Sequence, residues 1–238
     1  MSSFTLAWHF LIFGVLPYVV IAVLILGSLA RFVLAPFSWK SQSSEILDKK
    51  DIFWGATLFH IGVIFLFCGH CFGLFTPTEW LNAAGLTPRL HQMMEIICGG
   101  LSAIVAITGL IILTWRRLTN DRVRAASRPS DFWVLFLLLA VIILGIGCVV
   151  NSYLYDKSGA TIILLGGWVR GLFSFDYQAW QNILLVPDWQ KGHIFVGLII
   201  FLIVPFTRLV HIWSGYLSVF YLIRPHQIMR ANNGKPMK

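Results

Sequence analysis

Five of the seven histidines in this 238-residue chain fall in runs oily enough to cross a membrane, and four of these make two spaced pairs. In FHIGVIFLFCGHCFG, residues 59–73, His60 and His70 stand ten residues apart; in the run 187–213, His193 and His211 stand eighteen apart. A neutral imidazole is a metal ligand, and a protonating one is a relay near neutral pH. Placed inside a bilayer, such a group is costly and marks function. Along a helix the first two are about 15 Å apart and the second two about 27 Å, the latter separated by about five whole turns and so on one face. If the two helices are antiparallel, His60 meets His211 at one depth and His70 meets His193 at another. Two imidazoles facing across a bundle, twice, are what two bis-histidine haem b groups need. The unequal separations leave about 12 Å for helix tilt and inclined macrocycles to absorb.

Other readings of these residues remain open at this point. Each histidine could singly hydrogen-bond a neighbouring helix, as in a haem-free transporter or anchor. A zinc or copper site is disfavoured by the lack of a close His/Cys/carboxylate cluster. Cys68 and Cys71 form a CxxC spacing without the following histidine of c-type haem attachment, and read as buried packing residues. Gly62, Gly69, Gly73, Gly99 and Gly100 let either a flat macrocycle or a neighbouring helix approach closely. His9 reads as interfacial and His226 as a solvated tail residue. His91, beside Arg89 and Glu95, sits at about the depth of His70 and is a candidate for ligand contact.

The elements that must position these residues are membrane helices. The chain is 58% hydrophobic and only 12% charged, with a mean hydropathy of +0.79, whereas soluble domains carry about 25% charged residues. Five stretches are long enough to span: 4–29, 53–75, 92–115, 132–155 and 187–213. The expected fold is therefore all-α, a single polytopic domain over 1–238 with five transmembrane helices in a bundle and a basic tail, 214–238. The shorter run 161–175, with Arg170, reads as interfacial. Pro17 and Pro205 interrupt their helices. No basic region precedes the first apolar run, so no cleavable signal peptide is expected. The four cysteines lie in apolar runs, which argues against a disulfide framework.

Fourteen of the eighteen Lys and Arg residues fall on one side of these spans. They lie in the first and third loops, at the end of the last span and in the tail. Only Arg89, Lys157, Arg170 and Lys191 fall on the other. The positive-inside rule then puts the N-terminus outside and the C-terminus in the cytoplasm. A basic cytoplasmic face suits anionic lipids or an acidic partner, with Arg116, Arg117, Arg122 and Arg124 as candidate docking residues. The net charge of +8 is spread over short loops, which excludes a nucleic-acid-binding reading.

The stretches LFHIGVIFLFCGHCFGLFTP (58–77), WRRLTNDRVRAAS (115–127) and PFTRLVHIWS (205–214) resemble the gamma subunit, the cytochrome b, of membrane-bound respiratory nitrate reductase. The resemblance covers nearly the whole chain, and the two histidine spacings match that family's four haem ligands. It implies two haem b groups, the inner held by His60 and His211 and the outer by His70 and His193. It implies quinol oxidation near the outer haem, with Gly69, His70, Arg89 and His91 as candidate quinol contacts. Some family members carry a lysine where this chain has His91; either side chain can donate a hydrogen bond to a quinone oxygen. The resemblance further implies an iron–sulfur beta subunit and a molybdenum-cofactor alpha subunit as partners, at the inner (cytoplasmic) membrane. The chain has no cysteine set for an iron–sulfur cluster. It would act as the electron-transfer subunit of a quinol:nitrate oxidoreductase, without a nitrate-reducing centre. A dihaem anchor of another respiratory complex, such as a sulfite-reductase-linked one, would carry the same ligands.

Overall fold

The computed structural model describes residues 3–35, 38 and 49–213. The tail 214–238, with His226, Arg224, Arg230, Lys235 and Lys238, lies outside the described residues, as does Lys40. Among the described residues the chain is helical without strands, and five helices are long and apolar enough to cross a membrane. We label the principal helices α1 (Ser3–Leu34), α2 (Lys49–Phe75), α3 (Pro88–Thr119), α4 (Pro129–Tyr155), α5 (Ala160–Phe173) and α6 (Asp188–Ile203). Large side chains such as Leu26, Ile64 and Phe65 point outward. That apolar exterior is suited to hydrocarbon, not water.

Local chemistry sets the ends. Pro88 and Pro129 open α3 and α4 at positions where a missing N–H costs nothing. Thr87 caps α3 by accepting from the Leu90 N–H at 3.3 Å, and Asp131 caps α4 by accepting from the Arg128 N–H at 2.8 Å. Before Pro17, α1 passes through a π turn, Leu11–Val15, and the Trp168 indole donates to the Phe13 carbonyl within it at 2.8 Å. A second π turn, Glu95–Gly99, interrupts α3.

The fifth span departs from the expected 187–213. Helix α6 ends at Ile203, a 3₁₀ turn covers Val204–Phe206, Thr207 is extended, and a second 3₁₀ turn covers Arg208–Val210. Pro205 cannot donate to the helix ladder and clashes with the turn before it. His193 and His211 are therefore not joined by one continuous helix, and the 27 Å separation does not apply. Helix α5 has fourteen residues, about 21 Å, too short to span. It packs with Ala179–Leu185 and with α1 around Phe13, Trp168, Leu172 and Ile183.

The spans pack as a sequence of neighbours: α2 on α3, α3 on α4, α4 on α6, and α6 on α1. The α2–α3 contact is the closest. A Cβ at Gly62 would meet the Ala106 backbone nitrogen at 2.5 Å, and one at Gly109 would meet the Gly55 carbonyl oxygen at 2.6 Å. Small residues thus let the two backbones touch, where dispersion and not water drives association. Helix α2, which carries His60 and His70, and helix α6, which carries His193, do not pack closely on each other.

Beyond α4, Asp156 folds the chain back. Its carboxylate accepts from the backbone N–H groups of Ser158 (3.0 Å), Gly159 (2.9 Å) and Thr161 (2.9 Å), and Gly159 takes the left-handed φ of +77° that the turn requires. Burial opposes the charge, but the hydrogen bonds from Thr161 and Ser158 outweigh it and hold this carboxyl well below the usual carboxylate range. Asp156→Ala is expected to cost about 1 kcal/mol of stability, discounted for partial exposure. Because the folded pKa is depressed, that contribution is complete above the unfolded value near 4 and fades as pH falls towards the folded one. The Tm gap between wild type and variant should be level from about pH 7 to 5 and narrow below about 4. A gap unchanged in acid would refute the assignment.

Candidate functional site

The four intramembrane histidines come together in the expected pairs. The rings of His60 and His211 have centroids 6.2 Å apart and cross at 73°; those of His70 and His193 are 5.9 Å apart and nearly parallel at 20°. Every one of the four is oriented through its Nδ1. His60 bonds the Ala56 carbonyl (2.7 Å), His70 the Leu66 carbonyl (2.7 Å), His193 the Val141 carbonyl (2.9 Å) and His211 the Arg208 carbonyl (2.7 Å). A carbonyl only accepts, so Nδ1 carries the proton in each bond and Nε2 is left as a lone pair. Fixing a ligating imidazole from its far nitrogen is the usual way a protein sets ligand tautomer and direction.

These residues fit a haem b. With a first-row metal–imidazole bond of about 2 Å and about 1 Å from nitrogen to ring centre, two axial rings sit roughly 6 Å apart. Both pairs match. Among the described residues no group of three or more His, Cys, Asp or Glu could hold a bare ion, whereas a macrocycle asks only two ligands of the protein. The glycines that the sequence left ambiguous divide between two roles. Gly62 is packed on Ala106 and Gly73 on Glu95, but a Cβ at Gly69, Gly99 or Gly197 would meet nothing within 4 Å. His60 and His70 are exposed on α2, a costly placement for imidazoles facing hydrocarbon alone.

Beyond the His70–His193 pair, at the end of the bundle away from the basic loops, lies a small cleft. It is lined by Gly73, Thr76, Pro88, His91, Ile162 and Arg170, among others. His91 is 4% exposed, its Nε2 has no hydrogen-bond partner among the described residues, and the Glu95 carboxylate is 3.6 Å away. A buried nitrogen without a hydrogen-bond partner asks for an explanation. Arg170 was not singled out by sequence; its guanidinium donates to the Leu74 and Thr76 carbonyls, closing the end of α2. Arg89 turns the other way, donating to Gln92 (2.6 Å) and the Asp156 carbonyl (3.1 Å). Gln92, also missed, donates to Ser152 and Asp156. Both therefore tie α3 to the end of α4, and neither Arg89, Gly69 nor His70 is among the cleft's lining residues.

At the basic end the four candidate docking arginines separate. Arg116 is buried, and Arg117 turns inward to pair with the buried Asp131 at 3.1 Å. Arg122 and Arg124 are exposed, the latter beside Asp121. Cys68 and Cys98 lie on the helix exterior, which corrects the expectation that Cys68 is buried; all four cysteines are free.

The chain is thus a five-span helical membrane protein whose site is two facing pairs of imidazoles. Comparison with known proteins agrees: residues 9–232 match the family described as nitrate reductase gamma subunit, and the chain belongs to that family. It is 35% identical to the respiratory nitrate reductase 2 gamma chain of Escherichia coli strain K12, over 92% of this chain and 95% of that one. It is likewise 35% identical to the nitrate reductase gamma chain of Bacillus subtilis strain 168, over 94% and 98%. The protein is thus a multi-pass membrane subunit of a respiratory nitrate reductase, an oxidoreductase complex.

Proposed function

We propose that this chain is the quinol-oxidising membrane anchor of its complex, holding two haem b groups and serving an iron–sulfur beta subunit and a molybdenum-cofactor alpha subunit. His60 and His211 would hold the inner group and His70 and His193 the outer. When bound, the two haems would supply one-electron transfer between quinol and the soluble subunits. The observation that carries this reading is the set of four Nδ1-anchored imidazoles, paired at about 6 Å between α2 on one side and α6 with the segment beyond its break on the other. Pyridine haemochrome analysis of the purified chain should return two b-type haems; one or none would sink it.

The protein's own contribution at the outer end is at His91. Its Nε2 is placed to hydrogen-bond a quinol hydroxyl, and the nearby Glu95 carboxylate can take a proton from the imidazole when it becomes charged. Gly73, against which both residues pack, leaves space for them beside the cleft. Orientation by the positive-inside rule puts this end outside, so protons lost there have a short way to water.

At the opposite end Arg122 and Arg124 are exposed, Arg124 beside Asp121, and we assign partner docking to them in preference to the inward-turned Arg116 and Arg117. Reversing both to glutamate is expected to weaken attachment of the soluble subunits by roughly tenfold, about 1.4 kcal/mol, chiefly by slowing association. Haem content should not change. The check is the fraction of nitrate-reducing activity that sediments with membranes at increasing salt. Retention equal to wild type would return these arginines to the role of solvated topology signals.

A further inference from the structure

The break in the fifth span is gripped on both sides, and the geometry points to Asp131 and Arg31 as positioning residues for His211. Upstream, the guanidinium of Arg31 on α1 donates to the carbonyls of Pro205 and Thr207, each at 2.7 Å. These carbonyls flank the turn where Pro205 ends regular helix pairing, and backbone groups left unpaired at membrane depth are strongly unfavourable. Downstream, Arg208 pairs through Nε with Asp131 at 2.8 Å, and the Arg208 carbonyl is the atom that accepts from His211 Nδ1. Asp131 is anchored in turn: it caps α4 through the Arg128 N–H and pairs with Arg117 on α3. Its carboxylate is 6% exposed and holds two guanidinium groups, so little freedom remains to Arg208.

Two fixed points on separate helices thus determine where a three-residue turn delivers its histidine. On the opposite side, His60 belongs to a regular helix and bonds its own preceding turn, and needs no such device. His193 likewise sits within α6. The asymmetry assigns the polar cluster to one axial ligand of one pair. This inference rests on the reading that His60 and His211 hold a haem.

The test is electron paramagnetic resonance and redox titration of the holo-complex in membranes, read separately for each low-spin haem. Asp131→Asn and Arg208→Gln are expected to shift the inner haem's signal and potential and to lower its occupancy, with the outer haem unchanged as the internal measure of folding. Arg117→Gln removes an anchor of the same carboxylate but not its contact with Arg208, and is expected to shift the inner haem's signal less than Arg208→Gln does, with the outer haem unchanged. If Asp131→Asn does not accumulate, Arg31→Gln carries the test from the other side of the break, with the same expected result. Loss of both haems together, or an Arg117→Gln signal matching that of Arg208→Gln, would reduce the cluster to general helix packing and overturn the inference. An unshifted inner haem in Asp131→Asn and Arg31→Gln overturns it too, while leaving the dihaem reading intact. A wild-type chain lacking the inner haem overturns that reading and the inference with it.

Discussion

Alanine at His70 or at His193 should abolish the same haem, and alanine at His60 or at His211 the other, so that each variant falls from two b-type haems to one. The expected effect is a loss and not a shift, because a bis-histidine site deprived of one axial partner no longer has its ligand set. The warrant is geometric. The pairs are 5.9 and 6.2 Å across, and each imidazole is committed by its Nδ1 bond to present Nε2. Haemochrome content with a redox titration of each variant checks it, and quinol-dependent nitrate reduction should be abolished in all four. A phenotype shared by His60→Ala and His193→Ala would show that the ligands are paired otherwise.

His91→Leu should slow haem reduction by a quinol analogue in stopped flow while leaving both haems bound. The buried Nε2 at the cleft has no hydrogen-bond partner among the described residues, so its hydrogen-bonding capacity is available to a ligand. Removing one such bond costs about 1–3 kcal/mol in transition-state terms, roughly 5- to 150-fold in rate. Nitrate reduction driven by an artificial donor that acts on the soluble subunits should persist, since that route bypasses the membrane chain. Wild-type rates in His91→Leu would remove His91 from the quinol site.

The number and bounds of the spans were readable because hydropathy over about 20 residues is a strong signal. The first four expected spans each fall within a helix that runs a few residues further, as capping residues lying outside the apolar runs extend them. The pairing of His60 with His211 and His70 with His193 needed only antiparallel order and depth. The fifth span was overextended, since 187–213 stays apolar across a break that composition does not register. Pro205 was the available signal, and its reach to Thr207 depends on Arg31, a residue distant in sequence. The inward turn of Arg117 was hidden for the same reason: a basic residue in a loop reads as solvated unless its buried carboxylate is known, and Asp131 lies fourteen positions on. That Arg89 bonds towards the end of α4 was not legible, because proximity in sequence to His91 says nothing about which side of α3 a side chain takes. The glycines could not be sorted, as close approach of a helix and of a macrocycle leave the same mark in sequence.

The order in which the spans pack has a consequence for how the chain is made. Neighbours in sequence pack together through α2, α3 and α4, so each can dock on its predecessor as it leaves the ribosome. The first span is the exception. Its substantial contacts are with α6 and with Ala179–Leu185, and its hydrogen bonds run to Leu172, Trp168, Pro205 and Thr207, all synthesised after about two thirds of the chain. The helix made first is therefore the last to be enclosed, and waits in lipid for the closing segment. Both histidine pairs share that timing, because each draws one member from residues beyond Asp188. If each pair holds a haem as proposed, no partial chain can offer either iron its second imidazole, so cofactor loading would follow translation of the final span and could not guide the insertion of the earlier ones.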